Sequence, residues 1–292
     1  MLPAHPAHID DMSRPKIIDC IIYNGEPIVQ LRLQLLNDLV DAFVFVEAAY
    51  THSGQRKPEL FLHTHAAELE QCPKLQPVII DSFPEPTPEW LQEHAQTGYM
   101  RAGGLNNWYR ETYQRDYAAG YIREKFAGEQ YIVMVCDADE IPSQETVKQL
   151  PSIYDHLTES PVHLQMQMFY YSFQWAKVHP WHSAFVLNDR TLGTIALSTV
   201  RTGAPTAVVQ NSGWHCSFFS NIAGLLRKLE SYAEQQFNTD EVKSRQHLQH
   251  CLATGCDLFG RSGEDLVLYD TSQLPVALQE FQKLMVFLQT YS

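Results

Sequence analysis

Three carboxylates follow an apolar segment near the middle of the chain. Residues 131–136 are β-branched or apolar, which predicts a strand buried on both faces, and Asp137, Asp139 and Glu140 come directly after it. Side chains two positions apart in extended backbone point the same way, so Asp137 and Asp139 should converge. Carboxylate oxygens are the ligands that hard divalent cations prefer. The pair therefore predicts half of a Mn²⁺ or Mg²⁺ site, completed by a substrate diphosphate; the alternative is a polar loop without a metal.

Two earlier strands place further polar groups at the same edge of the predicted sheet. Lys16–Tyr23 and Ala42–Val46 are apolar strands, and the segment between them has leucines at helical spacing, which indicates a β-α-β unit. Ligands of open α/β sheets bind beyond the carboxyl ends of such strands. The residues predicted to bind the cofactor at these ends are Asn24, Glu26 and Glu47, together with Asp137 from the later strand. For Glu47, a solvated strand end is the alternative.

A cluster of charged residues lies on the helix predicted over residues 102–126. Arg110–Asp116 reads RETYQRD, in which Glu111 and Arg115 form an i,i+4 pair. The helix leads directly into the strand that carries the three carboxylates. We therefore expect Arg110 or Arg115 to contact a diphosphate or to order the turn that carries the carboxylates. A solvated helix face is the alternative.

A single histidine is the other candidate ligand. His215 belongs to the segment Gly213–Ser217, which is predicted to follow a strand and to precede a helix. Functional groups often lie on such connections, so His215 is predicted to contact the metal or the diphosphate. The alternative is a histidine that binds nothing.

The second half of the chain is predicted to form short, mainly antiparallel strands. Residues 162–175 alternate in polarity and are rich in aromatic side chains, which belong either to the core or to a wall that stacks against sugar rings. Further short strands are predicted at 184–187, 192–200 and 206–209, and an earlier one at Leu60–His63.

Composition is that of an ordinary globular protein and argues against several partners. The chain has 292 residues, of which 45% are hydrophobic and 19% charged, and its formal net charge is −13. This charge argues against nucleic acid or an anionic membrane as a general partner. The sequence shows neither a signal peptide nor an apolar run long enough to span a bilayer, so a cytoplasmic protein without a membrane span is expected. The six cysteines lack C-x-x-C spacing, and buried free thiols are expected.

Several segments, in order along the chain, resemble glycosyltransferase family 17. The matching segments are Asn24–Glu26 with Arg32, Val40–Ala48, Thr51 with Gly54, Lys57-Pro58, Arg110–Asp116, Cys136–Pro142 and Gly213–Ser217. The resemblance covers roughly residues 16–240, and Gly25 stands where the family usually has a glutamate. It implies a GT-A type α/β fold, in which a Rossmann-like mixed sheet is flanked by helices and is followed by the mainly antiparallel C-terminal part.

The domain organisation follows from this resemblance. Residues 1–15 are expected to form a flexible tail and residues 16–292 a single glycosyltransferase domain. Its nucleotide-sugar half would cover about residues 16–142 and its acceptor half about residues 143–292.

The resemblance also implies an activity. The expected reaction is an inverting, metal-dependent transfer of a sugar from a nucleotide diphosphate donor, UDP-N-acetylglucosamine, to a hydroxyl of a glycan acceptor. Arg110 or Arg115 would neutralise charge on the leaving diphosphate. Inversion also needs a carboxylate base for the acceptor hydroxyl. The candidates are Glu140, Asp257, Glu264 and Asp265, and the sequence does not choose among them.

Three other classes of protein can be compared with this interpretation. A phosphatase would carry its D-x-D motif after the first strand, and a nucleotidylyltransferase would carry a glycine-rich loop near the N-terminus; neither feature is present. A non-catalytic glycan-binding protein on a degenerate transferase fold is the remaining alternative. It would bind a glycan without needing a metal.

Overall fold

The computed structural model describes residues 14–264 and 266–291. The strands in these ranges are β1 Lys16–Ile22, β2 Ala42–Ala48, β3 Leu75–Ile80, β4 Tyr131–Asp137, β5 Glu140–Pro142, β6 Val162–Tyr170, β7 Trp175–Ala176, β8 Phe185–Asn188, β9 Val208–Ser217 and β10 Val267–Leu268. The helices are α1 Val29–Leu36, α2 Phe61–Thr64, α3 Ala66–Leu69, α4 Pro88–His94, α5 Gly98–Gly103, α6 Leu105–Lys125, α7 Gln144–Gln149, α8 Leu197–Thr202, α9 Ile222–Ser231, α10 Arg245–Thr254 and α11 Val276–Tyr291.

One mixed sheet connects all of these strands. Its first part is parallel, because β1 lies between β2 and β4, and β2 also pairs with β3. The sheet continues from β4 into β8, β6, β7 and β10 through antiparallel pairs, and β9 runs parallel to β6 while pairing with β5 in the antiparallel sense. The predicted fold class, a Rossmann-like mixed sheet with a mainly antiparallel C-terminal part, is confirmed.

Both faces of the parallel strands are buried, as their continuous apolar sequences predict. Alternate residues of β1 belong to different cores, with Ile17 and Ile21 on one face and Ile18 and Cys20 on the other. Helices α1 and α11 cover the first face, while α6 and α8 cover the second. Because both faces are covered, the polar ends of β1, β2 and β4 are where a ligand can approach the sheet.

A third apolar cluster packs α9 against α10. Leu225 and Leu229 of α9 pack with Leu248 and Cys251 of α10 and with Tyr171, all of them buried. The six cysteines are free thiols, as expected. Within the ranges that the structure describes, every helix is too short or too polar to cross a lipid bilayer.

Two predicted strands are helices in the structure. The segment predicted as a strand at residues 60–63 forms α2, whose first backbone N–H groups, of Phe61 and Leu62, donate to the buried Glu47 carboxylate at 2.9 and 2.8 Å. Residues 192–200, also predicted as a strand, form a turn followed by α8. There Ser198 donates its backbone N–H and its hydroxyl to Asp116 of α6, at 2.8 and 2.7 Å. In both cases a carboxylate distant in sequence satisfies the orphan N–H groups of a helix start.

Candidate active site

A cavity of about 970 Å³ lies at the carboxyl ends of β1, β2 and β4. Seven of the predicted site residues line it: Asn24, Glu26, Arg115, Asp137, Asp139, His215 and the candidate base Glu264, whose carboxylate is paired with Lys177. Four others, Glu47, Arg110, Glu140 and the candidate base Asp257, are not part of its wall. Asp265, a candidate base, lies outside the described residues. The structure therefore brings together the two aspartates, one arginine of the helix cluster and the histidine.

Asp137 binds two arginine side chains. Arg115 donates from Nη1 to Asp137 Oδ1 at 2.8 Å, and Arg201 donates from Nη2 to Asp137 Oδ2. Burial acts to raise the pKa of the Asp137 carboxyl, but the two guanidinium groups outweigh burial and hold that pKa well below its usual range. Both oxygens of Asp137 are engaged, and the residue fixes two cations at the cavity wall.

Glu140 is fully buried next to Asp137. Its carboxylate accepts hydrogen bonds from the Asp137 backbone N–H at 2.6 Å, from Arg201 at 2.9 and 3.0 Å, and from the Trp181 indole. These bonds occupy both oxygens, and the side chain is 0% exposed. In this geometry Glu140 orients Arg201 and Trp181 and does not face the cavity.

A buried arginine supports the turn between β4 and β5. The Arg32 guanidinium donates to both oxygens of Asp19, at 2.5 and 2.6 Å, and both side chains are fully buried. It also donates from Nη1 to the backbone carbonyls of Glu140, at 2.5 Å, and Asp137, at 3.2 Å. Arg32 is among the residues that resemble the family, but its position in a predicted helix did not indicate that it supports the turn that carries the carboxylates.

Asp139 points to a different set of partners from Asp137. Strand β4 ends at Asp137 and the next two residues form a turn, so the extended backbone that predicted convergence ends before Asp139. Asp139 Oδ2 accepts a hydrogen bond from Lys228 Nζ at 2.8 Å. The pKa of the Asp139 carboxyl is lowered, because the opposing effect of burial is outweighed by the nearby Lys228 and His215. Both aspartates line the same cavity, Asp137 from the end of β4 and Asp139 from the turn that follows it.

The remaining oxygen of Asp139 faces a histidine. His215 Nε2 lies 3.6 Å from Asp139 Oδ1, which is too long for a hydrogen bond. Neither ring nitrogen of His215 has a hydrogen-bond partner among the described residues, and its Nδ1 is buried. His215 lies within β9, opposite Glu140 of β5, instead of at the predicted strand-to-helix junction.

These two side chains fit a divalent cation better than Asp137 does. A carboxylate oxygen and an imidazole nitrogen that face each other without a hydrogen bond are both free to act as ligands. Among the described residues, no cluster of three or more His, Cys, Asp or Glu side chains is arranged to hold a metal. A cation at Asp139 and His215 would therefore depend on oxygens of a ligand or of water for its other contacts.

The first turn contributes Asn24 and Glu26. The Asn24 side chain donates to Ser231 Oγ at 3.1 Å, and its backbone N–H donates to Glu26 Oε2 at 2.8 Å. Burial raises the pKa of Glu26. Gly25 has a φ of +81°, and a Cβ atom there would lie 2.5 Å from the Phe61 ring. The glycine at this position of the family motif therefore makes room for the start of α2.

Glu47 and Arg110 have structural contacts instead of cavity contacts. Glu47 is fully buried and accepts hydrogen bonds from Lys57 Nζ at 2.8 Å and from the start of α2. It orders the loop that brings Lys57 to the cavity wall. Arg110 donates from Nη1 to the His52 carbonyl at 3.0 Å and to Asn107 Oδ1 at 3.1 Å. Both residues act on the loop that follows β2.

Two cations of the site were not predicted from the sequence. Arg201 lies in α8, within a region predicted in part as a strand, and its role depends on the Asp116 contact that starts this helix. Lys228 lies in α9, where the spacing of the leucines is the only recognisable pattern and predicts a helix but no functional lysine. A positively charged side chain near a D-x-D motif is expected on electrostatic grounds. Nothing in the sequence around Arg201 or Lys228 identifies either of them as that side chain.

The fold and the cavity together define the class of this molecule: a Rossmann-like α/β protein with a ligand cavity at the carboxyl ends of its parallel strands. The sequence matches glycosyltransferase family 17 over residues 4–275, and the chain belongs to this family. It is similar to the β-1,4-mannosyl-glycoprotein 4-β-N-acetylglucosaminyltransferases of Homo sapiens and Rattus norvegicus, each 28% identical over 165 residues. The aligned segment is 55% of this chain but only 28% and 27% of those two proteins. The chain thus spans about a quarter of the length of the curated relatives it matches.

Proposed function

We propose that this protein is an inverting glycosyltransferase that uses a divalent cation and transfers N-acetylglucosamine from UDP-N-acetylglucosamine to a glycan hydroxyl. The observation that carries the proposal is the Asp139–His215 pair, which faces the cavity beside Arg115, Arg201 and Lys228. The names of the similar proteins support the sugar, since both are N-acetylglucosaminyltransferases.

The cations of the cavity suit a diphosphate. The whole chain carries a formal charge of −13, so an anionic donor needs local positive groups to approach it. Arg115 and Arg201 are held side by side by Asp137, and Lys228 is held by Asp139. These groups are fixed before the ligand arrives, and they would neutralise charge that develops on the leaving diphosphate.

The divalent cation would be held by Asp139 and His215. When bound, it would act as a Lewis acid toward the diphosphate oxygens. Asp137 has a separate part in this proposal: it keeps the two arginines in place. Trp181, whose ring centre lies 4.7 Å from that of His215, offers an apolar face for a sugar ring.

A panel of nucleotide sugars, each assayed with Mn²⁺ and with excess chelator, tests the proposal. Release of free UDP from UDP-N-acetylglucosamine in the presence of an N-glycan acceptor, and only with metal, is the expected result. Calorimetry should show that UDP binds far more tightly with Mn²⁺ than with chelator. Equal UDP affinity in both conditions would contradict the metal assignment. Glycan binding without turnover of any donor would favour the non-catalytic alternative.

A further inference from the structure

One carboxylate of the cavity wall has no partner. The acidic residues that line the cavity are Glu26, Glu111, Asp137, Asp139, Glu234 and Glu264. All but one carboxylate in this group form hydrogen bonds or ion pairs with nearby N–H groups. The Glu234 carboxylate forms neither with any described residue. A carboxylate left open to a ligand cavity has its lone pairs available to a bound molecule.

Glu234 is held in place by its backbone. It comes three residues after the end of α9 and directly before the 3-10 turn Gln235–Phe237, and its carbonyl accepts a hydrogen bond from Phe237 N at 3.1 Å. The same helix carries Lys228, the partner of Asp139. The segment between α9 and this turn therefore brings Glu234 into the cavity that also holds the proposed metal ligands.

Two other side chains of the cavity wall, Tyr232 and Trp108, also carry polar atoms without partners. The Tyr232 hydroxyl and the Trp108 indole N–H are buried atoms without a hydrogen-bond partner among the described residues, and both side chains line the cavity. Buried polar atoms are normally paired, so unpaired ones at a cavity wall point to a ligand with hydroxyl groups. The ring of Trp108 packs edge-on against Tyr99, which also lines the cavity. The combination of aromatic faces and free polar atoms suits a sugar.

Burial is the main influence on the pKa of the Glu234 carboxyl. Burial and the nearby Glu111 raise the pKa of Glu234, while Arg261 and Lys228 act in the opposite direction and do not cancel the shift. A base is most effective when its pKa approaches the working pH. The shift is thus in the direction that a proton acceptor needs.

We propose that Glu234 is the general base that takes the proton of the acceptor hydroxyl, and that Tyr232 and Trp108 bind the acceptor sugar. This rests on the proposed function. The acceptor oxygen forms a bond to the anomeric carbon of the donor sugar while the bond from that carbon to the diphosphate oxygen breaks. The bonding electron pair leaves with the nucleoside diphosphate, and the hydroxyl proton moves to the Glu234 carboxylate, which later releases it to solvent.

The test compares Glu234→Gln with a matched control, Glu230→Gln. Glu230 lies in α9 outside the cavity wall, and its side chain is 50% exposed. In Glu234→Gln we expect the transfer rate to fall by about 100- to 10,000-fold, with UDP affinity within about twofold of the wild type. The control should keep the wild-type rate. The melting temperature of Glu234→Gln at neutral pH should stay equal or rise, because the ionised carboxylate is disfavoured in the folded state.

The pH profile separates a base from a structural residue. The wild-type rate should fall as the pH drops through the raised pKa of Glu234, since only the ionised form accepts a proton. The residual rate of Glu234→Gln should lack this acidic limb. Formate should restore part of the activity of Glu234→Ala, by supplying a carboxylate in the space that the truncation opens.

Two outcomes would overturn the inference while leaving the proposed function intact. The first is a Glu234→Gln protein that transfers sugar at the wild-type rate with the wild-type acidic limb. The second is a slow variant whose UDP affinity falls in parallel and whose Glu234→Ala form gains nothing from formate, which would make Glu234 a donor-binding or structural residue. A wild-type protein that binds no nucleotide sugar would instead contradict the proposed function itself.

Discussion

Asp137 and Asp139 lie two positions apart, yet their partners are different. Asp137 holds two arginines, whereas Asp139 faces Lys228 and His215. Carboxylates this close along the chain would repel each other in the absence of nearby positive charge. In the structure the pKa of each is lowered, because nearby cations outweigh both burial and mutual repulsion. The charge of the D-x-D motif is therefore a source of local stability in the folded protein.

Asp139→Asn tests this reversal. We expect the substitution to lower the free energy of unfolding by about 1–2 kcal/mol in the presence of chelator, because the partly buried Lys228 loses its partner. Transfer activity should fall by orders of magnitude, because a ligand charge is lost. Calorimetric melting and an activity assay measure the two effects, with the exposed Asp240→Asn as the control. A rise in the melting temperature would mean that repulsion between carboxylates dominates after all.

Arg115→Ala tests the role of the guanidinium groups. The side chain is 3% exposed and bonds both Asp137 and Glu111. Its loss should reduce kcat/KM by about ten- to a thousand-fold, which corresponds to about 1.4–4 kcal/mol of transition-state stabilisation. Lysine should restore only part of this, because it cannot donate in two directions from one plane.

The controls for Arg115 lie on the same helix. Arg123→Ala, at an exposed position of α6, should leave both kcat/KM and the melting temperature unchanged within error. Arg110→Ala should affect mainly the loop after β2, through its bond to the His52 carbonyl. If Arg115→Ala kept the wild-type kcat/KM, the charged cluster of this helix would have only a structural role. The diphosphate would then be bound by the other cations.

At the scale of elements, the site depends on how short segments are held at their ends. Asp116 of α6 satisfies the start of α8 and so brings Arg201 to Asp137 and Glu140. Glu47 likewise accepts hydrogen bonds from the first backbone N–H groups of α2. Arg32 of α1 holds two carbonyls of the turn between β4 and β5. Three charged side chains, of which Glu47 and Arg32 are fully buried, therefore connect the elements that surround the cavity.

Arg32→Met tests the support of the turn. The substitution leaves Asp19 buried without its cation, so we expect a loss of about 3–5 kcal/mol in the free energy of unfolding. The double variant Arg32→Met/Asp19→Leu should recover part of that stability, because both charges are then removed. It should not recover activity, since the carbonyls of Asp137 and Glu140 still lack their donor.

Denaturant unfolding and the donor assay measure these effects together. The control is Lys243→Ala, which breaks the more exposed pair with Glu230 and should cost no more than about 1 kcal/mol. If Arg32→Met were as stable as the control, the buried pair would not support the turn. If the double variant were fully active, the two carbonyls would not need their donor.

At the scale of the whole molecule, the two predicted halves share one sheet. Strand β4 of the first half pairs with β8 of the second, and β5 pairs with β9. The proposed metal ligands come one from each half, since Asp139 precedes residue 142 and His215 follows it. We therefore propose that residues 16–292 act as a single domain, with the cavity built from both halves.

A single cooperative unfolding transition is the expected consequence. Tryptophans lie in both halves, at positions 90 and 108 and at positions 175, 181 and 214, so fluorescence and far-UV circular dichroism should report the same midpoint in denaturant. Val186→Ala, a fully buried position of β8, should lower the midpoint seen by both probes equally. Two separate transitions, or a shift in one probe alone, would show that the halves unfold independently.

The sequence by itself determined the fold class, the family and the position of the polar groups along the chain. The continuous apolar runs of β1, β2 and β4 and the leucine spacing of α1 are local patterns, and they were predicted because burial imposes them on neighbouring residues. The cap of α7 is equally local, because the Ser143 hydroxyl accepts a hydrogen bond from the Thr146 N–H three residues later, at 3.1 Å. The D-x-D motif could be found in the same way, since it follows its strand directly.

Only the tertiary structure decided which charges meet. Residues 192–200 were wrongly predicted as a strand because the carboxylate that starts α8 is 82 positions away in the sequence. Glu47 and Arg110 belong to segments that contribute other residues to the cavity wall. Their own side chains form hydrogen bonds with backbone groups of the loop after β2 and of α2 instead. Glu234 and Lys228 reach the cavity through the packing of α9, which a leucine pattern predicts as a helix but does not orient. Long-range ion pairs depend on the relative placement of whole elements, and no local pattern in a single sequence encodes that placement.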